Sequence, residues 1–307
     1  MKINLYKKIS FGISLEIKLE EYKKIINQFG DFISSVYFSL PLGAAFHTRV
    51  RVIKEYEDKE ARKKLFEILK LFKNNNIKLE IVINQYGLTS SQLIEAIEFI
   101  NKNIDFDSIC TLDEYLPILY AKYPDAYFIS SFNNLKLSSK DIKNTSHQYK
   151  QIVVGKNFMR DIELLEKIKM EKFDTKLLLN NGCSFNCGSC RNGAEQCANI
   201  FEDNVKKIGV QNLYAIQSFF PSELHRLLEK IELNELKISN RPCNFEYLRN
   251  CLDSYINNNE SYIDKNINNY HLWGRLGHFG AYYGQFDFKK IKKMKERLWN
   301  NKFEDFK

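Results

Sequence analysis

Four of the seven cysteines lie in one short segment of this sequence. An apolar run, Leu177 to Leu179, ends in the turn sequence Asn180-Asn181-Gly182 and is followed by Cys183, Cys187, Cys190 and Cys197. Thiolate sulfur is a soft donor that suits iron in clusters and zinc in structural sites. Core packing gives no reason to gather thiols in a segment that also carries glycines. The pattern therefore predicts a bound metal.

The spacing of these cysteines favours an iron-sulfur cluster. Cys183, Cys187 and Cys190 form CxxxCxxC, so three thiolates could hold three irons of a 4Fe-4S cluster and leave the fourth iron open. Cys197 could close that site, and Cys243, which follows Arg241-Pro242, is an alternative metal ligand. Zinc would accept four of the same thiolates, usually as two CxxC pairs. Cys110 and Cys251 lie on apolar element faces, which predicts buried, small hydrophobic side chains.

The composition is that of an intracellular protein. The chain has 307 residues and a formal charge of +8. It begins without the apolar core of a signal peptide, and no stretch reaches the roughly 18 apolar residues of a membrane span. We expect a cytoplasmic protein, where thiols stay reduced and clustered cysteines indicate metal or redox chemistry. The positive charge predicts solvated helix faces, or attraction of an anionic partner such as RNA.

Apolar strand-like runs alternate with amphipathic helical runs along most of the chain. Eight such units predict a parallel sheet closed into a single (β/α)8 TIM barrel over residues 1–257. The cysteine loop, residues 180–200, is an excursion after strand 7, and Gln211 to Ile216 could be an extra strand within it. Residues 258–307 form a C-terminal extension that packs on the barrel. The predicted strands are Phe11–Glu16, Val36–Leu40, Lys78–Ile83, Ser108–Thr111, Tyr127–Ser131, Gln151–Gly155, Lys176–Leu179 and Leu236–Ser239.

Polar residues follow several predicted strands, where active sites of TIM barrels lie. Among them, Asn133, Asn181 and Arg241 are candidates to orient a polar or anionic substrate, since arginine binds carboxylate or phosphate through two parallel hydrogen bonds. His47 is a candidate base, although its position favours an ordinary loop histidine. The aromatic and glycine-rich tail, Asn269 to Phe286, could be a lid, an interface or a packed terminus.

Three segments resemble the collagenase-like peptidase family U-thirty-two. Leu178 to Cys190, LLNNGCSFNCGSC, resembles that family's VHGALCxxxxxxC in its Gly-Cys placement and six-residue gap. Val153 to Glu163 resembles the family's strand followed by an Arg-Glu-Leu-Ser turn. Leu236 to Tyr247, LKISNRPCNFEY, resembles LKIEGRMKSPEY, with Arg241 and Tyr247 at the matching positions. Ser239 and Asn181 stand where the family carries glutamate and histidine.

This resemblance implies a TIM barrel with a four-iron cluster, an electron donor, and either oxygen-independent hydroxylation of a small molecule or RNA, or peptidase activity. CxxxCxxC also resembles the radical SAM superfamily, which would add S-adenosylmethionine as a cofactor. In that superfamily the motif follows the first strand, whereas here it follows the seventh. A further alternative is a non-catalytic, metal-stabilised module that binds a partner or assembles into an oligomer.

Overall fold

Eight parallel strands form a closed barrel in the computed structural model. The structure describes residues 4–39, 59–84, 86–134, 142–155, 158–180, 193–239, 243–268, 282 and 284–300. Each strand pairs with the next along the chain, and β8 closes the barrel on β1 through Ile9–Leu236 and Phe11–Ile238. The (β/α)8 prediction is thereby confirmed. The strands are β1 Ile9–Gly12, β2 Ile33–Ser39, β3 Lys78–Ile83, β4 Ser108–Thr111, β5 Tyr127–Ser130, β6 Tyr149–Val154, β7 Asp174–Leu178 and β8 Glu235–Ile238.

Helices surround this barrel in the described part of the chain. They are α1 Leu19–Phe29, α2 Lys59–Asn74, α3 Ser90–Asn101, α4 Leu116–Lys122, α5 Ile162–Met170, α6 Gly193–Ile208, α7 Val210–Gln217, α8 Pro221–Leu228, α9 Phe245–Ile256, α10 Ser261–Asn266 and α11 Phe288–Asn300. Short 3-10 turns lie at Gly30–Phe32 and Phe132–Asn134. None of these helices is long and apolar enough to cross a bilayer.

The possible strand at Gln211 to Ile216 is wrong, because these residues belong to helix α7. Gly209, at φ 79°, provides the left-handed turn between α6 and α7. Five consecutive side chains, from Leu213 to Gln217, are buried. Because every side chain in this short run is buried, its sequence lacks the pattern of apolar and polar residues that distinguishes a helix from a strand.

Apolar stripes on the helices pack against the outside of the barrel. In α1, Tyr22, Ile25 and Phe29 are buried on one face. Phe72 of α2 lies against Tyr22, with ring centroids 5.3 Å apart, and against Phe11 of β1 at 5.8 Å. The main core is therefore the layer between strands and helices.

A second, smaller apolar layer lies inside the barrel. It consists of Tyr37, Val82, Cys110, Ile129 and Val153, one residue from each of the strands β2 to β6. Alternate residues of a strand point to opposite faces, so these side chains point inward while their neighbours pack against helices. Cys110 is buried in this layer, as predicted.

Strands β3, β7 and β8 contribute charged side chains to the barrel interior. The ammonium of Lys176 pairs with the carboxylate of Glu80 and, at 2.8 Å, with that of Glu235. Lys237 pairs with Glu80 at 2.9 Å, and its ammonium lies 3.9 Å from the centroid of the Tyr37 ring. The network is balanced, because two carboxylates face two ammonium groups. Buried charges are tolerated in proteins when they are paired in this way.

Hydrogen bonds complete this network toward the amino end of the barrel. Ser34 and Ser35 donate to Oε1 of Glu235 at 2.6 and 2.5 Å. The amide of Gln151 donates to the other oxygen of Glu235 at 3.4 Å. Burial by itself would raise the pKa of Glu80, but Lys176 and Lys237 outweigh it and bring the pKa down to about 2.

Acid is therefore expected to weaken the barrel through Glu80. Its folded-state pKa lies below its value of 4.5 in the unfolded chain, so its contribution is present above pH 4.5 and is lost as the pH falls toward 2. The total is on the order of 3 kcal/mol. Urea unfolding from pH 6 to pH 3 should show about 2 kcal/mol of this loss in the wild type and none of it in Glu80→Gln/Lys237→Met. Parallel pH profiles for the two proteins would contradict this assignment.

Candidate functional site

Asn180 fixes the point at which the chain leaves β7. Its side-chain amide donates to the carbonyl of Ser239 and to the hydroxyl of Tyr247, both at 3.1 Å. The backbone N–H of Ser239 donates to Oδ1 of Asn180 at 2.6 Å. One buried side chain thus joins the carboxyl ends of β7 and β8 to the first turn of α9. These strand ends are the part of a TIM barrel where active sites are built.

The chain returns to the same point after α7. Asn180 and Ser218 form an isolated antiparallel β-bridge. The N–H of Phe219 donates to the carbonyl of Leu179 at 2.8 Å, and the N–H of Leu179 donates to the backbone carbonyl of Lys237 at 2.9 Å. Residues 181–217, here called the cysteine excursion, are therefore flanked by Asn180 and Ser218, which pair with each other beside β8.

Most of the predicted ligands and two of the predicted substrate-orienting residues lie outside the described residues. These are Cys183, Cys187, Cys190, Asn181 and Arg241, and also His47. Cys197 lies on α6, which begins at Gly193, so the prediction that residues up to 200 form a loop is wrong for this position. Its role as a ligand stays a prediction. Among the described residues, no group of three or more His, Cys, Asp or Glu side chains could hold a metal ion.

Cys243 lies just after β8 and is part of the core layer between barrel and helices. The hydroxyl of Ser14 donates to the carbonyl of Cys243 at 2.7 Å and accepts from its N–H at 3.2 Å. Cys251, also buried as predicted, and Tyr247 lie close enough to interact electrostatically with Cys243. Burial raises the pKa of the Cys251 thiol, and the proximity of Cys243 raises it further. Surroundings of this kind favour neutral thiols over thiolates.

Asn133 is buried in the 3-10 turn that follows β5. Its carbonyl accepts a hydrogen bond from the hydroxyl of Tyr86 at 2.7 Å, and its amide donates to the carbonyl of Asn84 at 3.4 Å. These bonds join the carboxyl ends of β3 and β5. Its proposed contact with a substrate stays a prediction.

The base of the excursion, where Ser218 pairs with Asn180, also binds two buried cations. Arg160, in the turn before α5, donates to the carbonyls of Ile216 at 2.8 Å, Ala215 at 3.1 Å and Ser218 at 2.6 Å. Lys295 of α11 donates to Ala215 at 3.0 Å and also to Ser218. Both cations therefore bind carbonyls at the carboxyl end of α7, which have no partner within the helix.

One carboxylate neutralises part of this positive charge. Oε1 of Glu223 accepts from Arg160 at 3.1 Å, and Oε2 lies 2.8 Å from the ammonium of Lys295. Burial alone would raise the pKa of Glu223, but the two cations lower it overall. For Lys295, burial lowers the pKa to about 7, and the charge of Glu223 opposes this change.

Sequence reasoning did not single out Lys295. It lies in the lysine-rich helix FKKIKKMKERLWN, where Lys289, Lys290 and Lys293 are exposed while Lys295 has 1% of its surface accessible. The available signal was its helical spacing from Ile291 and Leu298, which are also buried. Arg160 was part of the segment that resembles the U-thirty-two family.

A polar cavity of about 400 Å³ lies at the opposite, amino end of the barrel. Tyr127 donates to Asp174 there at 2.6 Å, and Ser108 and Gln151 also line the space. Residues at this end of a TIM barrel usually contribute to stability. The cavity is thus separated from the cysteine excursion by the charged and apolar layers inside the barrel.

Comparison with known proteins gives structural similarities only. No family model and no curated protein matches the chain. The chain is similar to the U32 peptidase Mk0906, with a TM-score of 0.47 and 10% identity, covering 76% of this chain and 92% of that one. It is also similar to CpGH84B, with a TM-score of 0.42 and 9% identity over 80% of this chain, which spans 46% of that protein.

A third similar structure is a glycerophosphodiester phosphodiesterase from Agrobacterium tumefaciens. The TM-score is 0.38 and the identity 8%, over 75% of this chain and 95% of that one. The barrel assignment rests on the strand pairing of this chain, and no activity is transferred from these proteins.

Proposed function

We propose that this protein is an iron-sulfur TIM-barrel enzyme that modifies a polar or anionic substrate by redox chemistry without using oxygen. The cluster would be 4Fe-4S, held by Cys183, Cys187, Cys190 and Cys197. The observation that carries the proposal is the closed base of the cysteine excursion at the carboxyl ends of β7 and β8. An excursion anchored there supplies its thiols at the end of the barrel that hosts chemistry.

Chain length supports the same location. Cys183 is three residues beyond Asn180, and a peptide spans at most ~3.6 Å per residue. A ligand set that includes Cys183 must therefore be assembled close to Asn180. Arg241 lies two residues after Ser239, whose N–H is bonded to Asn180. Thiol ligands and a substrate-binding arginine would thus share one end of the barrel.

The chemistry of the donor set fits a cluster. Four thiols in the excursion match the four ligands of a 4Fe-4S cluster. We assign the closing position to Cys197 rather than Cys243, because Cys243 is buried in the layer between barrel and helices beside Cys251. A reducing, cytoplasmic location and an external electron donor belong to the proposal.

When bound, the cluster would supply one-electron transfer. The protein's own residues would bind and orient the substrate. Arg241 would pair with a carboxylate or phosphate of the substrate, and Asn181 and Asn133 would offer amide groups to its polar atoms. Asn180 would hold β7 and β8 together beneath them through its three hydrogen bonds.

Anaerobic purification with quantification of iron, sulfide and zinc tests the cluster. We expect about four irons and four sulfides per chain and an EPR signal after reduction. Cys183→Ala, Cys187→Ala and Cys190→Ala should each lose most of the iron, whereas Cys243→Ala and Cys110→Ala should retain it. Cys197→Ala should leave a cluster with altered EPR.

Other outcomes would replace the proposal. One zinc per chain with no iron would indicate a metal-stabilised module. An EPR change on adding S-adenosylmethionine, kept in Cys197→Ala and lost in Cys187→Ala, would indicate a radical SAM-like enzyme. Peptide cleavage that persists after metal removal would indicate a peptidase. An altered EPR signal in Cys243→Ala, with an unchanged signal in Cys197→Ala, would reverse the choice of closing ligand.

A further inference from the structure

The C-terminal segment, residues 282 and 284–300, packs along the helices of the cysteine excursion. The hydroxyl of Tyr282 donates to Glu202 of α6 at 2.6 Å. The ring of Phe286 lies 4.8 Å from that of Tyr214 on α7. Gln211 of α7 donates to the carbonyl of Gln285 at 3.1 Å. The segment therefore contacts both excursion helices before α11 begins.

Helix α11 then reaches the base of the excursion. The ring of Phe288 stacks on Phe220 with centroids 5.2 Å apart. Two turns later, the ammonium of Lys295 binds the carbonyls of Ala215 and Ser218 and pairs with Glu223. The same ammonium lies 4.5 Å from the centroid of the Phe220 ring. A flexible, charged side chain is thus held by three acceptors and an aromatic face, an arrangement that offsets the cost of burying it.

Ser218 connects this contact to the barrel. Its carbonyl binds Lys295 and Arg160, and it pairs with Asn180 in the β-bridge. The next residue, Phe219, donates its N–H to Leu179 at the end of β7. Two successive contacts, Lys295 to Ser218 and Ser218 to Asn180, therefore lead from Lys295 to the position at which the cysteine excursion leaves the barrel.

We propose that the C-terminal segment is a brace for the cysteine excursion, and that Lys295 is the positioning residue that holds the excursion's closed base against the barrel. The effect on a cluster rests on the function proposed above; the effect on the backbone does not. Arg160 comes from the turn before α5 and also binds the carbonyls of Ala215 and Ser218. Lys295 differs from it because it makes the base depend on a helix at the end of the chain.

Hydrogen exchange of the metal-free protein tests the brace directly. In Lys295→Met, the amide of Phe219 should exchange about 10- to 100-fold faster than in the wild type, the range expected for loss of a hydrogen bond to a charged group. Amides of β3, such as that of Ile81, should be unchanged. Lys295→Gln keeps a donor without the charge and should give an intermediate rate. It also provides a second measurement if Lys295→Met folds poorly.

Lys292→Met is the matched control on the same helix. Lys292 pairs with Glu260 at 2.7 Å and has no bond to Ser218 among the described contacts. It should leave the exchange rate of Phe219 unchanged. Unaltered exchange at Phe219 in both Lys295 variants, or equal acceleration across β3, would overturn the brace.

A second measurement separates the brace from the cluster. In anaerobically purified protein, iron release to a chelator should be at least about tenfold faster in Lys295→Met than in Lys292→Met, matching the loss of local protection. Faster exchange in a protein that never contains iron would support the brace and reject the proposed function. Faster exchange with unchanged iron release would restrict Lys295 to the backbone and reject its role in cluster positioning.

Discussion

Replacing Glu80 by Gln should lower the free energy of unfolding by about 3–5 kcal/mol, since breaking a buried ion pair leaves an uncompensated charge. Glu80 is fully buried and pairs with both Lys176 and Lys237. A glutamine of similar size keeps the volume but cannot neutralise two ammonium groups. Lys176 would keep Glu235, whereas Lys237 would have no carboxylate among its described contacts. Urea unfolding at pH 7, followed by circular dichroism, measures the change.

The double variant Glu80→Gln/Lys237→Met is the control for this prediction. It leaves one ammonium, Lys176, opposite one carboxylate, Glu235, so the interior is again balanced. It should be at least about 2 kcal/mol more stable than Glu80→Gln, because an unpaired buried charge costs more than an apolar substitution of similar volume. Equal stability of the single and double variants would show that the lost charge balance is not the cause.

Arg160→Met should be the second most damaging substitution, at about 3–5 kcal/mol. The side chain of Arg160 has 7% of its surface exposed, and its guanidinium pairs with Glu223. It also satisfies three backbone carbonyls and lies 4.4 Å from the centroid of the Phe219 ring. Methionine would remove this donor from the carbonyl of Ile216 and would leave those of Ala215 and Ser218 with Lys295. It would also remove one of the two cations paired with the buried carboxylate of Glu223.

Arg160→Lys should recover less than half of this loss. A lysine ammonium is a compact charge with three donors, whereas the planar guanidinium reaches the carbonyls and the carboxylate together. Arg226→Met is the matched control, since Arg226 is exposed and lies over the ring of Trp299 at 4.8 Å; it should change stability by about 1 kcal/mol at most. Full rescue by lysine would show that charge alone matters at this position.

Glu80 and Arg160 stabilise different parts of the candidate site. The charged layer around Glu80 lies inside the barrel and fixes β3, β7 and β8 relative to one another. Arg160 and Lys295 bind the backbone carbonyls of Ala215 and Ser218 at the excursion's base. A loss of iron in Arg160→Met with no change in the structure of the barrel would link the excursion's base to retention of the cluster. Glu80→Gln should lower both the stability of the barrel and the iron content.

The closed barrel could be predicted from the amino-acid sequence alone. Apolar runs of strand length alternate with amphipathic helices, and this periodicity is a local property of the chain. For that reason the strands Lys78–Ile83 and Ser108–Thr111 have the predicted bounds. The first strand is less well placed: it was expected at Phe11–Glu16 and lies at Ile9–Gly12. Strand ends depend on pairing with neighbours, which a local pattern does not contain.

Which polar groups are buried, and which groups they bind, could be seen only in the folded structure. Glu80 is 96 residues from Lys176 and 157 from Lys237. From its neighbours in sequence alone, each of these charged side chains would be predicted to be exposed to solvent. Ser218 and Asn180 meet because the chain closes on itself after α7, and Lys295 reaches them from α11. The cost of burying a charge depends on partners that the fold brings close. The spacing of the cysteines was therefore enough to predict a metal site in the excursion. It was not enough to predict that Arg160 and Lys295 are buried against the excursion's base.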